Sequence, residues 1–288
     1  MTLREKLSDG SPLLLDGSMG ALLMAGGLRS GEIYSVNSLN PEILIKIHDE
    51  YLKAGSDIIL TNTFNLSDEI SGPLNIPLEK LIYDACTAAK TAAQKYEDRY
   101  VALNIGPCPK LVSSSGRTDA SEVFDYFACR IKASEGIADA VFFETFSSAA
   151  ELETAVAAAK SVTDVPVFAS FTFMENKRTW MGDEFSRSFE RILAASPDAA
   201  GLNCTLTPSE MLPLARSLAE AAGGRIRLLA EPNRGVPRTS CGEVVYDMPA
   251  QEFADGTAEI FNAGITIIGG CCGSDPECIK LIREKCFS

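Results

Sequence analysis

The chain has 288 residues, 46% apolar and 23% charged, a balance ordinary for a globular enzyme that buries roughly three-quarters of its unfolded surface. Its formal charge of −13 argues against a nucleic-acid partner, which needs clustered Lys and Arg, and against docking on anionic membranes. No apolar run approaches the about 20 residues that span a bilayer, and Met1-Thr2-Leu3-Arg4-Glu5-Lys6 is no apolar leader, so the expected location is the cytoplasm. There, nine cysteines read as thiols or metal ligands rather than as a disulfide framework. A single histidine, His48, leaves no His-rich metal site and argues against a Ser-His-Asp triad.

The first predicted strand, 13–16, runs into Asp16-Gly17-Ser18-Met19-Gly20 and an irregular stretch over 26–39. A helix follows over 41–54, with Asn40 at its N-cap, Pro41 in its first turn and Gly55 past its end. His48 sits in that helix as a packed or surface residue. The second strand, 57–61, leads to Thr61-Asn62-Thr63-Phe64-Asn65 and a helix over 78–96. The third, 100–104, leads to Asn104-Ile105-Gly106-Pro107, an irregular stretch over 108–118 and a helix over 120–135. Strand 140–144 ends on Glu144-Thr145-Phe146 before a helix over 148–161, and strand 165–170 precedes a helix over 184–195. Strand 199–203 ends on Gly201-Leu202-Asn203-Cys204 before a helix over 208–222. Strand 226–231 leads through Glu231-Pro232-Asn233-Arg234-Gly235 to a helix over 249–263. The last, 266–269, ends on Gly269-Gly270-Cys271-Cys272-Gly273 before a helix over 276–285.

Strands that are continuously apolar are buried on both faces, as in a parallel sheet. Eight strand–helix units with no Gly/Ser/Pro linker predict a single α/β domain over 1–288, a (β/α)8 TIM barrel. The polar, glycine-rich clusters all follow strands, where such barrels keep their chemistry.

No Cys-x-x-Cys pair or zinc-finger spacing is present. Strand position unites Cys204, which ends the sixth strand, with Cys271 and Cys272, which end the eighth. Three thiolates leave one tetrahedral position open, the pattern of a catalytic zinc rather than a structural one. No fourth cysteine is placed to close the site. A substrate thiol filling the open position would be deprotonated there and kept electron-rich, which suits thiol alkylation. Cys86, Cys129, Cys278 and Cys286 read as small buried hydrophobes, while Cys108 and Cys241 lie in loops with no role assigned.

At these residues the sequence resembles the homocysteine S-methyltransferase family, which includes the homocysteine-binding module of cobalamin-dependent methionine synthase and betaine–homocysteine methyltransferase. The resemblance runs over nearly the whole chain and rests on Gly201-Leu202-Asn203-Cys204 and Gly269-Gly270-Cys271-Cys272-Gly273, with Asp16-Gly17-x-Met19-Gly20 and Glu144-Thr145 in support. It implies a (β/α)8 barrel with zinc on Cys204, Cys271 and Cys272, and homocysteine sulfur as the fourth ligand. By the same resemblance Asp16 and Glu144 hold the homocysteine ammonium, and the N–H groups of Gly17 and Ser18 its carboxylate. Asn233 would offer its amide oxygen to zinc when no thiol is bound. Arg234 departs from the small residue usual after Pro-Asn.

The motifs Thr61-Asn62-Thr63-Phe64-Asn65 and Gly106-Pro107-x-x-Lys110 look like the methionine synthase branch, which implies a corrinoid methyl donor. A cobalamin module of the form Asp-x-His-x-x-Gly cannot be written around His48, because Lys46 stands two places before it. The methyl group is therefore expected from a separate corrinoid protein carrying cobalamin, or from S-methylmethionine. The expected product is methionine. The alternatives are methylation of another thiol and a non-catalytic zinc- or thiol-binding subunit of a corrinoid methyltransferase system.

Overall fold

Alternation along the strands decides what each barrel residue faces. In the computed structural model, which describes residues 1–109, 119–240 and 243–287, eight parallel strands form one sheet. They are β1 (Leu13–Leu14), β2 (Ile58–Leu60), β3 (Tyr100–Ile105), β4 (Ala140–Phe146), β5 (Val167–Phe171), β6 (Ala199–Asn203), β7 (Arg227–Glu231) and β10 (Ile267–Ile268). The order is β1-β10-β7-β6-β5-β4-β3-β2, and a parallel bridge from Leu15 to Ile58 joins the two ends into a nearly closed barrel. The fold is the expected (β/α)8 architecture.

Leu13, Leu15, Ile58, Phe142, Phe168, Leu229 and Ile267 belong to one buried cluster, alternate residues pointing into the barrel. Phe142 and Phe168 meet edge-to-face there, with ring centroids 6.1 Å apart. Leu3 and Leu7, on the short helix α1 (Leu3–Ser8), join this plug. The intervening residues, such as Leu14, Ile59, Val101, Val141 and Ala230, point outward and pack with the helices. A fully buried Leu or Phe of either set contributes about 1.5–3 kcal/mol.

The helices obey their local signals. After α2 (Met19–Ala25) and α3 (Val36–Leu39), α4 (Pro41–Ala54) opens on Pro41 and closes on Gly55, whose φ of +109° suits glycine. The remaining helices are α5 (Asp68–Leu74), α6 (Leu78–Ala93), α7 (Ala120–Lys132), α8 (Ala149–Val162), α9 (Phe185–Ala195), α10 (Pro208–Ala222), α11 (Ala250–Asn262) and α12 (Pro276–Cys286). Of these, α10 starts with Thr207 and Glu210 capping each other's amides.

Two terminal strands are shorter than the sequence predicts. β1 and β10 keep two residues each, because beyond them the chain leaves the ladder: Gly270 N–H donates to Asp16 O and Ser18 N–H to Ser274 O. An antiparallel hairpin, β8 (Pro237–Ser240) and β9 (Glu243–Tyr246), is inserted between β7 and α11 and has no counterpart in the sequence reading. The stretch read as irregular over 26–39 contains α3, while 110–118 of the other irregular stretch, with Lys110, lies outside the described residues. No described helix is long and apolar enough to cross a membrane.

Candidate functional site

Two residues beyond the apolar plug, the same strands turn polar. Asn104 follows Ala102, Glu144 follows Phe142, Ser170 follows Phe168, and Glu231 follows Leu229. Alternation keeps all four on the inner face, so they floor the mouth at the C-terminal end of the barrel.

Glu144 is held on both sides. Its Oε1 accepts from Asn104 Nδ2 at 2.6 Å and its Oε2 from Asn203 Nδ2 at 2.8 Å. Asn203 Oδ1 in turn accepts from Ser170 Oγ at 2.7 Å and from the Thr145 amide at 2.8 Å. Thr145 is pinned at φ +65°, a conformation that β-branched residues rarely adopt away from functional sites. Burial pushes the Glu144 carboxyl up to about 7, against the pull of the Asn104 amide.

The other two acids are less satisfied. Asp16 is 1% exposed; its Oδ2 accepts from the Leu60 amide at 2.9 Å, and its Oδ1 has no partner. Glu231, also 1% exposed, has an unpartnered Oε2. Burial pushes both carboxyls well above their ordinary range, with Glu144 adding to each.

The three predicted cysteines converge beside these acids. Cys204 Sγ lies 3.8 Å from Cys272 Sγ, Cys271 Sγ lies 4.0 Å from Cys272 Sγ, and all three sulfurs fall within 4.8 Å of one another. The Cys204 amide continues the β6–β7 ladder by donating to Glu231 O at 2.9 Å, after which φ of +61° and +60° at Cys204 and Thr205 turns the chain over the mouth. On the far side, Cys271 N–H donates to Pro232 O at 2.9 Å and Cys272 N–H to Asn233 Oδ1 at 3.1 Å. Gly273, at φ +81°, follows the pair, and a Cβ there would run into the Tyr246 ring that β9 delivers. With the sulfurs this close, S–H donation from Cys204 and then Cys271 pulls the Cys272 thiol well below its usual range, while the Cys204 and Cys271 thiols are pushed up.

A tetrahedral zinc with Zn–S of about 2.3 Å places its sulfurs about 3.8 Å apart, so two of the three separations already match such an ion. The all-thiolate donor set also suits a soft or borderline metal.

Asn233 lies between the cysteine-bearing strands, and its oxygen accepts from the Cys272 amide. Gly17 packs so closely that a Cβ would stand 2.8 Å from Ser274 Oγ and 2.9 Å from Ser274 O. The Ser18 amide, expected to face a substrate carboxylate, instead donates to Ser274 O at 3.0 Å. The same carbonyl accepts from Tyr51 Oη at 3.1 Å, and Ser18 Oγ caps α2 at Ala21. In this structure the loop after Cys272 takes the Ser18 donor.

Arg234 braces this loop. Its amide donates to Cys272 O at 2.9 Å, its Nε to Met248 O at 2.8 Å, and its Nη1 pairs with Asp275 at 2.6 Å. Sequence reading passed over Asn104, Asn203, Glu231 and Tyr246 as functional residues. The first three had a signal, a polar residue closing an apolar strand, whereas Tyr246 depends on the hairpin.

Cys86 and Cys278 are buried as expected. Cys129 is exposed on the outer side of α7 and Cys286 is half-buried, so for these two the reading as buried hydrophobes is corrected. Cys108 is buried after β3, its amide donating to Glu151 at 2.6 Å, and Cys241 lies outside the described residues. His48 is fully buried with both ring nitrogens unpartnered.

A (β/α)8 barrel with three thiols gathered at the C-terminal ends of its strands, over a floor of buried acids, defines a class of thiolate-site barrel proteins. Within that class the match is specific: residues 13–286 fit the family described as homocysteine S-methyltransferase, and the chain belongs to it. It is 30% identical over 285 residues to the methionine synthase of Mycobacterium tuberculosis (strain ATCC 25618 / H37Rv), covering 92% of this chain and 24% of that protein. The methionine synthase of Mycobacterium leprae (strain TN) is likewise 30% identical over 285 residues, with 92% and 23% covered. The chain thus spans about a quarter of the length of these relatives. The metallated form of the homocysteine methyltransferase MmuM from Escherichia coli shares the fold, with a TM-score of 0.83 at 21% identity over 98% of this chain and 99% of that one.

Proposed function

We propose that this chain is a zinc-dependent homocysteine S-methyltransferase that forms methionine. The observation that carries the reading is three thiols within 4.8 Å of one another beside buried, incompletely satisfied carboxylates, in a chain of this family. Cys204, Cys271 and Cys272 would hold zinc, which supplies a Lewis acid that keeps an acceptor thiol ionised near neutral pH.

The chain's own residues do the rest. Asp16 and Glu144 attract the α-ammonium of homocysteine, and the Gly17 amide faces its carboxylate. Asn104 and Asn203 fix Glu144, so little reorganisation is needed when the amino acid arrives. Asn233 holds the Cys272 amide and with it the direction of the thiol pair. The thiol proton leaves to solvent when the acceptor is ionised; as the new C–S bond then forms, the methyl–donor bond breaks in line with it and its electron pair stays with the donor. The donor is a separate methyl-corrinoid protein or S-methylmethionine, and residues 1–288 act as one barrel unit in the cytoplasm, where thiols stay reduced.

One observation favours a second reading. The likeness to methionine synthases also supports a zinc- or thiol-binding subunit of a corrinoid methyltransferase system. A single-turnover assay of zinc-loaded protein with L-homocysteine separates the two, using methylcobalamin and S-methylmethionine as donors. Methionine in either reaction supports the enzyme. Homocysteine binding with no methionine from any donor favours the subunit.

A further inference from the structure

Every thiolate on one zinc can accept a methyl group. A donor that reaches the mouth meets three cysteine sulfurs as well as the acceptor's own, and whichever sulfur gives the electron pair of the new C–S bond takes the methyl. Methylation of a cysteine would turn a thiolate ligand into a thioether and weaken the hold on the metal. The chain's own sulfurs must therefore be the poorer nucleophiles.

The hairpin inserted after β7 brings a group suited to that task. β9 ends on Tyr246, opposite Pro237 of β8. The two residues that follow are tied down: Asp247 pairs with Arg238 at 3.1 Å, and Met248 O accepts from Arg234 Nε at 2.8 Å. The Tyr246 ring lies against Gly273, next in the chain to Cys272, and its hydroxyl meets the Cys272 thiol. Burial and then the adjoining Cys272 push the phenol up, and Cys204 and Cys271 add to this, so the proton stays on oxygen and the group is a donor. The other two sulfurs are served less well. Cys271 Sγ lies 4.0 Å from Asn203 Nδ2, whose two hydrogens already go to Glu144 at 2.8 Å and Thr145 Oγ1 at 2.7 Å. Cys204 meets the Thr205 amide and the neighbouring sulfurs.

We propose that Tyr246 is a positioning residue that donates its hydroxyl to the Cys272 thiolate and so keeps that sulfur a metal ligand rather than a methyl acceptor. This rests on the zinc reading above. A hydrogen bond draws on the lone pairs that would attack carbon, so the donated sulfur is the weaker nucleophile while the acceptor's sulfur stays electron-rich.

Methyl iodide, added to zinc-loaded protein without acceptor, tests the assignment: attack by a thiolate forms a C–S bond, breaks the C–I bond and releases iodide with its electron pair. Tyr246→Phe leaves the ring on Gly273 and removes only the hydroxyl. Peptide mass spectrometry should show Cys272 methylated about threefold to tenfold faster than in wild type, the contribution of one hydrogen bond, with Cys204 and Cys271 unchanged. In cobalt-loaded protein the same substitution should move the sulfur-to-metal charge-transfer band to longer wavelength, because the undonated thiolate holds its electrons less tightly. That second measurement needs only the metal-loaded fraction, so it stands even if the variant folds poorly. An unchanged Cys272 rate, an unmoved band, or equal acceleration at all three cysteines overturns the role of Tyr246 alone. Wild-type protein that binds neither zinc nor cobalt overturns the zinc reading and this role with it.

Discussion

The two ends of the barrel treat their acids in opposite ways. At the N-terminal ends of alternate strands, Asp57, Asp139 and Asp198 each accept from an amide of the neighbouring strand, that of Leu14, Val101 and Val167 respectively. Each also faces a cation: Arg99 and Arg283 beside Asp57, Lys90 beside Asp139, Arg4 beside Asp198. At the C-terminal mouth, Asp16, Glu144 and Glu231 have no ion pair with any described residue. The lesson is a division of labour along one axis. Acids at the base are paired with cations within the fold and serve stability, while acids at the mouth have no cation partner among the described residues and are pushed toward their neutral forms by burial.

The most severe way to probe the mouth is Cys271→Ala. Metal content should fall, and methyl transfer should drop by more than about a hundredfold, since even residues that only orient a ligand cost 10–100-fold. The fold should persist by circular dichroism; full turnover in metal-free variant protein would sink the zinc mechanism.

At the base the expectation reverses. Asp57→Ala leaves Arg99 and Arg283 without their shared partner and should cost about 2–3 kcal/mol in denaturant unfolding, less than a fully buried pair because both arginines touch water. Homocysteine affinity of the folded fraction should not change. A large loss of affinity would break the division between base and mouth.

His48 shows what an unpaired buried group does where no ligand is at hand. Burial pushes its pKa down to about 3. Below pH 6.5 the unfolded chain takes up a proton that the folded chain refuses, so stability falls as pH drops from about 6.5 towards about 3. The loss at pH 5 should be about 2 kcal/mol, read as a Tm series, and His48→Leu should remove that slope.

The smallest effect is expected at Arg234→Ala. Losing its half-buried pair with Asp275 should cost about 1 kcal/mol, with zinc retained but released more readily to a chelator.

Much of this was legible in the sequence. All eight barrel strands and the long helices follow from apolar runs alternating with amphipathic stretches, and the three cysteines were united by strand position alone. Helices of four to seven residues such as α2, α3 and α5 left too short a pattern to read. Asn104 and Glu231 were visible as polar strand ends, but their unmade hydrogen bonds depend on which neighbours already hold donors. The Ser18 amide shows the same dependence: Ser274, distant in sequence, accepts from it. Cys129 was misread because a helix with one buried face gives a cysteine two possible sides.

The apolar plug has a consequence for redesign. Phe142, Phe168 and Leu229 separate the mouth from the base, so the polar floor rests on an apolar layer. Substitutions at Asn104, Ser170 or Glu231 therefore leave untouched the ion pairs that lock the barrel below. In directed evolution the mouth behaves as an exchangeable cartridge, and the scaffold beneath carries the tolerance for change.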